Sequence, residues 1–239
     1  MARTALITGA SSGIGRAISE YLLDEGYEVV GIGRDFDKFP CRHECFTRIS
    51  LDLADLDALP QRLPQLVEQC AAVDALICNA GQGHFGHLEQ FSYAQIRALM
   101  DLNFTSHAFL VRAFLPQLKK LGRGDIVFTG SEAALEGTQK GTVYCAGKFA
   151  LRGFAQALRQ EVARNGIRVA IVNPGMVDTP FFDSLDFGPG AGADHSIAPE
   201  DIARIVSLVL SLRPGSVIDE INLSPQKKVI DFKKNRREQ

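Results

Sequence analysis

The segment ALITGASSGIG at residues 5–15 places a short apolar run directly before three glycines, and this arrangement decides the fold. The apolar run at residues 5–8 predicts a buried strand. Gly9, Gly13 and Gly15 predict a sharp turn into a helix, since glycine accepts positive φ angles and leaves room for a closely approaching group. The first amides of a helix lack internal partners, so the turn favours a dinucleotide diphosphate. A strand-to-helix turn without a ligand is the alternative.

Apolar runs and helical patterns alternate along the rest of the chain. Strands are predicted at residues 5–8, 28–33, 45–50, 75–78, 125–129, 168–172 and 216–222. Helices are predicted at residues 13–24, 56–70, 93–121, 142–165 and 199–212. Strand–helix–strand units join parallel strands by right-handed crossovers, so the pattern predicts a doubly wound, Rossmann-type α/β fold. We expect a single domain over residues 1–239, with a seven-stranded parallel sheet covered by helices on both faces.

The composition is that of a globular protein, with 46% of the 239 residues hydrophobic and 23% charged. A formal net charge of -2 gives no attraction to nucleic acid or to acidic membranes. The sequence lacks an apolar stretch long enough to span a bilayer. Five cysteines, an odd number, indicate free thiols and a cytoplasmic location. Cys41 and Cys45 flank His43, but a zinc site needs about four ligands, so we interpret this segment as a surface turn and predict no metal.

The second predicted strand ends in the sequence GIGR at residues 31–34, about twenty residues after the glycine turn. At this point an acidic residue binds the ribose hydroxyls of NAD, whereas an arginine pairs with the 2′-phosphate of NADP. Arg34 therefore favours NADP over NAD. Asp35 would reverse that preference if the strand were one residue longer.

Two further strand ends are predicted at the same edge of the sheet. Asp52, next to Leu53, either accepts a hydrogen bond from the adenine amino group or caps a helix. The fourth strand ends in the sequence CNAG at residues 78–81, whose small residues let the chain pass close to the cofactor riboses. Asn79 is expected to satisfy buried backbone groups there.

Tyr144 and Lys148 lie four residues apart on a predicted helix, so their side chains share one face. A nearby cation favours the phenolate and is expected to lower the tyrosine pKa towards neutrality. Ser131, at the end of the fifth strand, can donate a hydrogen bond to a substrate oxygen that gains negative charge. Together the three residues predict acid–base chemistry on a carbonyl or alcohol group.

Over residues 5–222 the sequence resembles the short-chain dehydrogenase/reductase family. The matching motifs are TGxxxGxG at residues 8–15, NNAG at 78–81, the helical asparagine at 103, the catalytic serine at 131, YxxxK at 144–148, and the PG turn at 174–175 with Thr179 after it. The resemblance departs from the family at Cys78, in place of the first asparagine of NNAG. It also departs at Gly130 and Glu132, on either side of Ser131, which we expect to affect the rim of the pocket.

The resemblance implies a catalytic tetrad of Asn103, Ser131, Tyr144 and Lys148. Tyr144 would protonate the carbonyl oxygen and Ser131 would polarise it. Lys148 would lower the tyrosine pKa and hold the nicotinamide ribose, while Asn103 would anchor a water that relays protons. The implied cofactor contacts are Gly9, Ser11, Ser12, Gly13, Ile14, Gly15, Arg34, Asp52, Leu53, Asn79, Ala80, Gly81, Tyr144, Lys148, Pro174, Gly175, Val177 and Thr179.

The predicted function is an NADP(H)-dependent oxidoreductase that reduces an aldehyde or ketone, or oxidises a secondary alcohol, with tyrosine as general acid and base. The alternative is a non-catalytic NADP(H)-binding regulator, although such a protein has no need of a tuned phenol. An epimerase is disfavoured because little sequence follows residue 222. The resemblance also implies a homodimer or homotetramer formed through helices 93–121 and 142–165. Phe109, Phe114, Phe149 and Phe154 could supply that contact or face the sheet.

Substrate selection is expected from loops beyond the carboxyl ends of the strands. Residues 181–198 contain three glycines and several phenylalanines, and predict a mobile lid with an aromatic inner surface that is too short to enclose an acyl carrier chain. His84 and His87 are interpreted as solvated loop residues. The basic tail at residues 223–239 is likewise interpreted as a solvated terminus.

Overall fold

The computed structural model describes residues 2–37 and 39–233. Within these residues the strands are β1 (Thr4–Thr8), β2 (Glu28–Gly33), β3 (Phe46–Ser50), β4 (Ala75–Cys78), β5 (Gly124–Thr129), β6 (Ile167–Pro174), β7 (Phe187–Pro189), β8 (Glu220–Leu223) and β9 (Ile230–Phe232). The helices are α1 (Gly13–Asp24), α2 (Leu59–Gln69), α3 (Tyr93–Met100), α4 (Ser106–Leu121), α5 (Thr142–Val162) and α6 (Pro199–Ser211). The predicted alternation of strands and helices is confirmed, with boundaries that differ by a few residues.

Seven strands form one parallel sheet in the order β3-β2-β1-β4-β5-β6-β8. The chain winds outwards in both directions from the boundary between β1 and β4, so the loops after these strands diverge and leave a crevice at the carboxyl edge. Apolar side chains on both faces form the two cores. One core packs α2, α4 and α5 on the sheet through residues such as Phe114 and Leu151. The other packs α1 and α6 through residues such as Leu22 and Val206.

The helix predicted over residues 93–121 is interrupted. α3 ends at Met100, the segment Asp101–Thr105 forms a π-helical turn, and α4 begins at Ser106. A π turn inserts one extra residue and shifts the side chains that follow it around the helix axis. Asn103 lies within this turn and is buried. The expectation of one continuous helix was therefore wrong at the position of a predicted site residue.

A second, smaller sheet was not expected from the sequence. β7, inside the predicted lid, pairs antiparallel with β9 from the tail, with Phe187 opposite Phe232 and Pro189 opposite Ile230. We call this two-stranded sheet the lid ribbon. The interpretation of the tail as a solvated terminus is corrected up to residue 233, because backbone hydrogen bonds join it to the lid. The mobility of the lid stays a prediction. Lys234, Arg236 and Arg237 of the predicted basic tail lie outside the described residues.

Within the described part of the chain, no helix combines the length and hydropathy needed to cross a membrane. Cys41, Cys45, Cys70, Cys78 and Cys145 are free thiols. His43 Nδ1 accepts a hydrogen bond from the amide of Cys45 at 3.2 Å, which closes the turn that the sequence predicted there.

Candidate active site

The glycine turn after β1 adopts backbone geometry that only glycine tolerates well. Gly9 and Gly13 have φ angles of 68° and 51°. A Cβ atom at position 15 would lie 2.2 Å from the carbonyl oxygen of Gly9. Ser12 is the N-cap of α1, yet its side chain makes no capping hydrogen bond, so the first amides of the helix lack that partner. This turn has the space and the donors that a diphosphate needs.

The loop after β4 is fastened to the glycine turn. Thr8 Oγ1 accepts hydrogen bonds from the amides of Asn79 and Ala80 at 2.9 and 3.0 Å. Asn79 Nδ2 donates to the carbonyl oxygen of Thr8 at 3.0 Å. The expected role of Asn79 in satisfying buried backbone groups is confirmed. Thr8, which was not among the predicted contacts, holds the two loops together.

Cys78, which replaces the first asparagine of the NNAG motif, is fully buried, and burial raises the pKa of its thiol. The neutral thiol therefore packs in the core as a small apolar group.

An open cavity of about 320 Å³ lies at the carboxyl ends of β2 and β3, where the sequence predicts the adenosine end of the cofactor. Its lining includes Arg34, Asp52 and Arg62. β2 ends at Gly33, so Arg34 is the first residue beyond the strand, as predicted. Asp35 Oδ1 instead accepts a hydrogen bond from the amide of Asp37 at 2.7 Å.

The helix-capping alternative for Asp52 is not borne out. α2 begins at Leu59, and Asp52 Oδ1 accepts a hydrogen bond from the amide of Ala54 at 2.9 Å. Its carboxylate remains on the lining of the cavity. Leu53, the neighbouring predicted contact, is 4% exposed and belongs to the core.

The predicted tetrad gathers at the carboxyl ends of β4 and β5. Asn103 Oδ1 accepts a hydrogen bond from the amide of Gln82, and Asn103 Nδ2 donates to the Gln82 carbonyl, both at 2.9 Å. A Cβ atom on Gly81 would lie 2.9 Å from Asn103 Oδ1 and 3.9 Å from Lys148 Nζ, so these two side chains converge on one point. Lys148 Nζ lies 5.8 Å from the centre of the Tyr144 ring.

Ser131 sits beside this group just after β5. Its Oγ accepts a hydrogen bond from the amide of Ala133 at 3.1 Å. The hydroxyl remains able to donate, because accepting that bond uses a lone pair only. Hydrogen bonding by the Ser131 side chain lowers the pKa of Tyr144 in part.

The sequence predicts a lowered pKa for Tyr144, whereas the structure gives a raised one. Burial raises the pKa of Tyr144 to about 12, and the Ser131 hydroxyl offsets only part of this effect. Burial lowers the pKa of Lys148 to about 8. Lys148 Nζ donates to the carbonyl oxygen of Thr129 at 2.9 Å, so its charge is partly directed to the backbone. The expectation of a lowered tyrosine pKa overlooked the cost of removing the phenolate from water.

His107 is a buried residue at this site that sequence reasoning missed. Its Nε2 lies 2.7 Å from the carbonyl oxygen of Ala80, and its Nδ1 is buried without a partner among the described residues. Burial, followed by the charge of Lys148, lowers the pKa of His107 to about 4. The position of His107 four residues after Asn103 was the available signal, since that spacing places both on one side of a helix.

The two departures next to Ser131 differ in location. Gly130 is buried, and a Cβ atom there would lie 2.0 Å from Asn173 Oδ1. The expectation that Gly130 lies at the pocket rim is wrong, because Gly130 is buried. A serine at this position would collide with Asn173. Glu132 is at the rim, where it pairs with Lys228 of the tail at 2.7 Å.

The segment after β6 closes over the glycine turn. Pro174 ends β6, and the amide of Gly175 donates to the carbonyl oxygen of Leu223 at 2.7 Å. Val177 is 4% exposed and pairs with Ile197. Thr179 reaches the turn itself, since a Cβ atom on Gly13 would lie 3.2 Å from the Thr179 Cβ. The predicted contacts Gly13 and Thr179 are therefore neighbours across the crevice.

The remaining predicted contacts, Ser11 and Ile14, lie just before α1 and within its first turn. Ser11 lies near the end of β2, with its Oγ 3.1 Å from the position of a Cβ atom on Gly33. Ile14 packs against the core beneath α1.

His84 and His87 are exposed, and His84 stacks edge-on against Phe91 with ring centres 4.9 Å apart.

Lys148→Met is expected to change the pH dependence of stability. The buried Lys148 releases its proton near pH 8, whereas in the unfolded chain it holds the proton to about 10.5. Between these values the unfolded state binds more protons, so wild-type stability rises with pH. Relative to the variant, the wild type should gain about 3 kcal/mol between pH 7 and 10.5. Urea unfolding of both proteins across this range checks it, and parallel curves would contradict the burial of a charged lysine.

The fold and site together define a dinucleotide-binding α/β oxidoreductase with a Ser–Tyr–Lys centre. The chain belongs to the short-chain dehydrogenase/reductase family, since a profile described as short chain dehydrogenase matches residues 3–187. An uncharacterized oxidoreductase of Staphylococcus saprophyticus is 29% identical over 234 residues, covering 93% of this chain and 97% of that protein.

Two other proteins similar to this chain have names that state a reaction. The 17-beta-hydroxysteroid dehydrogenase type 1 of Mus musculus is 32% identical over 204 residues, covering 81% of this chain and 59% of that protein. The alcohol dehydrogenase of the archaeon Thermococcus sibiricus, complexed with 5-hydroxy-NADP, is 28% identical with a TM-score of 0.83, covering 93% of this chain and 96% of that structure. Both proteins are similar to this chain along most of its length.

Proposed function

We propose that this protein is an NADP(H)-dependent reductase of aldehydes or ketones, and a dehydrogenase of secondary alcohols in the reverse direction. The observation that carries the proposal is the convergence of Tyr144, Lys148 and Ser131 at the sheet edge beside the glycine turn. The names of the mouse and Thermococcus relatives, which denote dehydrogenases of a hydroxysteroid and an alcohol, support this chemistry.

The site residues divide the work of reduction. The bound reduced nicotinamide would supply the hydride to the carbonyl carbon. Ser131 donates a hydrogen bond to the carbonyl oxygen as its charge grows, and Tyr144 gives that oxygen its phenolic proton. The resulting phenolate is stabilised by the ammonium of Lys148. Asn103, held in the π turn by Gln82, is placed next to Lys148 to support the return of a proton from water.

The high pKa of Tyr144 suits this direction of the reaction. A phenol with a pKa of about 12 stays protonated at neutral pH, so it enters the reaction as an acid. The oxygen of a bound carbonyl substrate accepts this proton. The oxidation of an alcohol requires the phenolate and is therefore expected to be faster at alkaline pH.

NADP is proposed as the preferred cofactor because two arginines face the cavity at the adenosine end. Arg34 and Arg62 both line it, and neither forms a salt bridge with a described carboxylate. Their charges are available to a 2′-phosphate, which a guanidinium binds in a bidentate manner. Asp52, on the same lining, is placed to accept from the adenine amino group.

Arg34→Ala is expected to weaken NADPH binding by about tenfold or more, since charge-assisted hydrogen bonds contribute about 1.5–3 kcal/mol. NADH binding should change by less than about twofold, because NADH lacks the 2′-phosphate. Fluorescence titration with each nucleotide measures both effects. Arg164→Ala is the matched control, since Arg164 is exposed at the end of α5 that is remote from the crevice. An equal loss of NADH binding would contradict the proposed preference.

The proposed function is tested by following NADPH oxidation with a panel of ketones and aldehydes, and repeating the assay with NADH. Binding of NADPH without turnover of any carbonyl would instead favour a non-catalytic regulator. A homodimer or homotetramer and a cytoplasmic location remain predictions. Phe114 is fully buried and Phe154 stacks on Phe128 in the core, whereas Phe149 is 43% exposed and available for an interface.

A further inference from the structure

Tyr144 is part of a closed cycle of five aromatic side chains, which we call the aromatic cluster. The cycle runs through Tyr144, Phe85, Phe187, Phe182, Phe181 and back to Tyr144. Successive ring centres are 5.1, 5.0, 6.0, 5.2 and 6.1 Å apart. These separations lie in the range at which aromatic rings attract one another. The ring of the proposed proton donor therefore contacts Phe85 and Phe181, and Phe182 and Phe187 complete the cycle.

The surroundings of the cluster are also small and apolar. Ala133 and Cys145 pack beside Tyr144, with Phe85 and Phe181 against them. Gly83 lets the rings come together, because a Cβ atom there would lie 2.5 Å from Phe181 Cζ and 2.9 Å from Phe85 Cε2. Glu132 lies close by in sequence, but its carboxylate is paired with Lys228 at 2.7 Å.

The lid ribbon holds Phe187 in this position. Phe187 lies in β7, where Phe232 of β9 packs on its outer side with ring centres 6.5 Å apart. Lys227 extends the tail attachment with an ion pair to Asp194 at 2.8 Å. The amide of Lys233 donates to the carbonyl oxygen of Asp186 at 2.7 Å. The cluster is thus fastened to the tail on the side opposite Tyr144.

The geometry points to a substrate class: a carbonyl compound in which an uncharged aromatic or alicyclic ring is attached close to the carbonyl carbon. The ring would separate Phe85 from Phe187 and replace their contact with contacts to itself, while the carbonyl oxygen meets Tyr144 and Ser131. This inference rests on the proposed function and narrows it to one class of substrate.

Charge and size decide against the alternatives. A carboxylate placed among these phenylalanines would lose hydration, which is unfavourable without a partner. The cations of the tail are already engaged, since Lys228 pairs with Glu132 and the Lys233 ammonium donates to the carbonyl oxygens of Phe182 and Asp183. A small polar carbonyl would leave the rings in contact with one another and would bury little apolar surface. A ring adjacent to the carbonyl avoids both costs.

The test compares ketones in steady-state NADPH oxidation by the full chain. Acetophenone and cyclohexyl methyl ketone carry the ring, benzoylformate carries the same ring with a carboxylate, and hydroxyacetone lacks the ring. The ring ketones are expected to show kcat/KM values at least about tenfold above the other two, the span that a hydrophobic pocket typically gives. The carbonyl of benzoylformate is intrinsically more electrophilic than that of acetophenone, so its slower turnover would report exclusion of the charge.

Variants locate the effect in the cluster. Phe187→Ala should lower kcat/KM for the ring ketones by about tenfold or more, mainly through KM, while the NADPH dissociation constant stays unchanged. Phe85→Leu retains apolar volume if Phe187→Ala fails to fold, and should act in the same direction. Leu208→Ala, at an exposed position on α6, is the control and should leave both constants unchanged.

The outcomes separate the two proposals. Turnover of hydroxyacetone or benzoylformate that equals turnover of the ring ketones would overturn the substrate class and leave the reductase assignment in place. A Phe187→Ala protein with unaltered KM for ring ketones would also overturn it. Oxidation of NADPH with other carbonyls of the panel but with none of these four ketones would overturn the substrate class alone. NADPH binding without oxidation by any carbonyl of the panel would overturn the reductase assignment and the substrate class together.

Discussion

Tyr144→Phe is expected to reduce carbonyl turnover by at least about a thousandfold, the upper part of the range for loss of a positioned proton donor. The variant removes only the hydroxyl group, and the phenyl ring keeps its place between Phe85 and Phe181. NADPH binding should change little, since the glycine turn and the cavity lined by Arg34 and Arg62 are untouched. Stopped-flow measurement of a single turnover with saturating NADPH isolates the chemical step.

Tyr93→Phe is the matched control for this experiment. Tyr93 is 94% exposed at the start of α3, so loss of its hydroxyl should alter neither turnover nor stability. A Tyr144→Phe protein that retained the wild-type rate would exclude Tyr144 as the proton donor, and another group would have to supply the proton.

Gly15→Ala is expected to weaken NADPH binding severely. Its Cβ atom would lie 2.2 Å from the carbonyl oxygen of Gly9 and 2.6 Å from Asn79 Nδ2. The first of these contacts is with backbone, so the glycine turn has to shift, and the amides at the start of α1 move with it. Overpacking of this kind costs about 1–3 kcal/mol in stability. Displaced donors weaken diphosphate binding further, and we expect a loss of at least about a hundredfold.

Gly153→Ala provides a control within another helix. Gly153 lies in α5, where a Cβ atom would meet nothing within 4 Å. The same substitution should therefore stabilise the protein by about 0.5–1 kcal/mol through helix propensity, with NADPH binding unchanged. Thermal unfolding and NADPH titration of both variants measure the contrast. Tight NADPH binding by Gly15→Ala would show that the turn tolerates the methyl group.

Local sequence signals predicted the parts of the site that local geometry controls. The glycine turn needs positive φ angles at Gly9 and Gly13, and short-range patterns report such needs directly. Arg34 was placed correctly because the apolar run before it ends where β2 ends. The family resemblance, confirmed by the profile match, implied the tetrad that the structure brings together.

Three features depended on information that local patterns lack. The π turn at Asn103 has no local sequence pattern of its own, and the hydrogen bonds of Asn103 go to Gln82, in a loop distant in sequence. β7 and β9 have only three residues each, and β7 contains a glycine and a proline. The two strands pair across a long separation in sequence. The pKa of Tyr144 depends on its burial, which the aromatic residues from distant loops complete.

Through the lid ribbon, residues 230–232 influence the shape of the proposed substrate site. Phe187 and Phe232 are opposite members of one strand pair, so a substitution at residue 232 shifts the wall of a site that it never touches. Under the proposed substrate class, selectivity can therefore change through a substitution at residue 232 while the catalytic residues stay the same. An affinity tag is accordingly better attached at the N-terminus, and a library meant to alter selectivity gains by varying both strands at once.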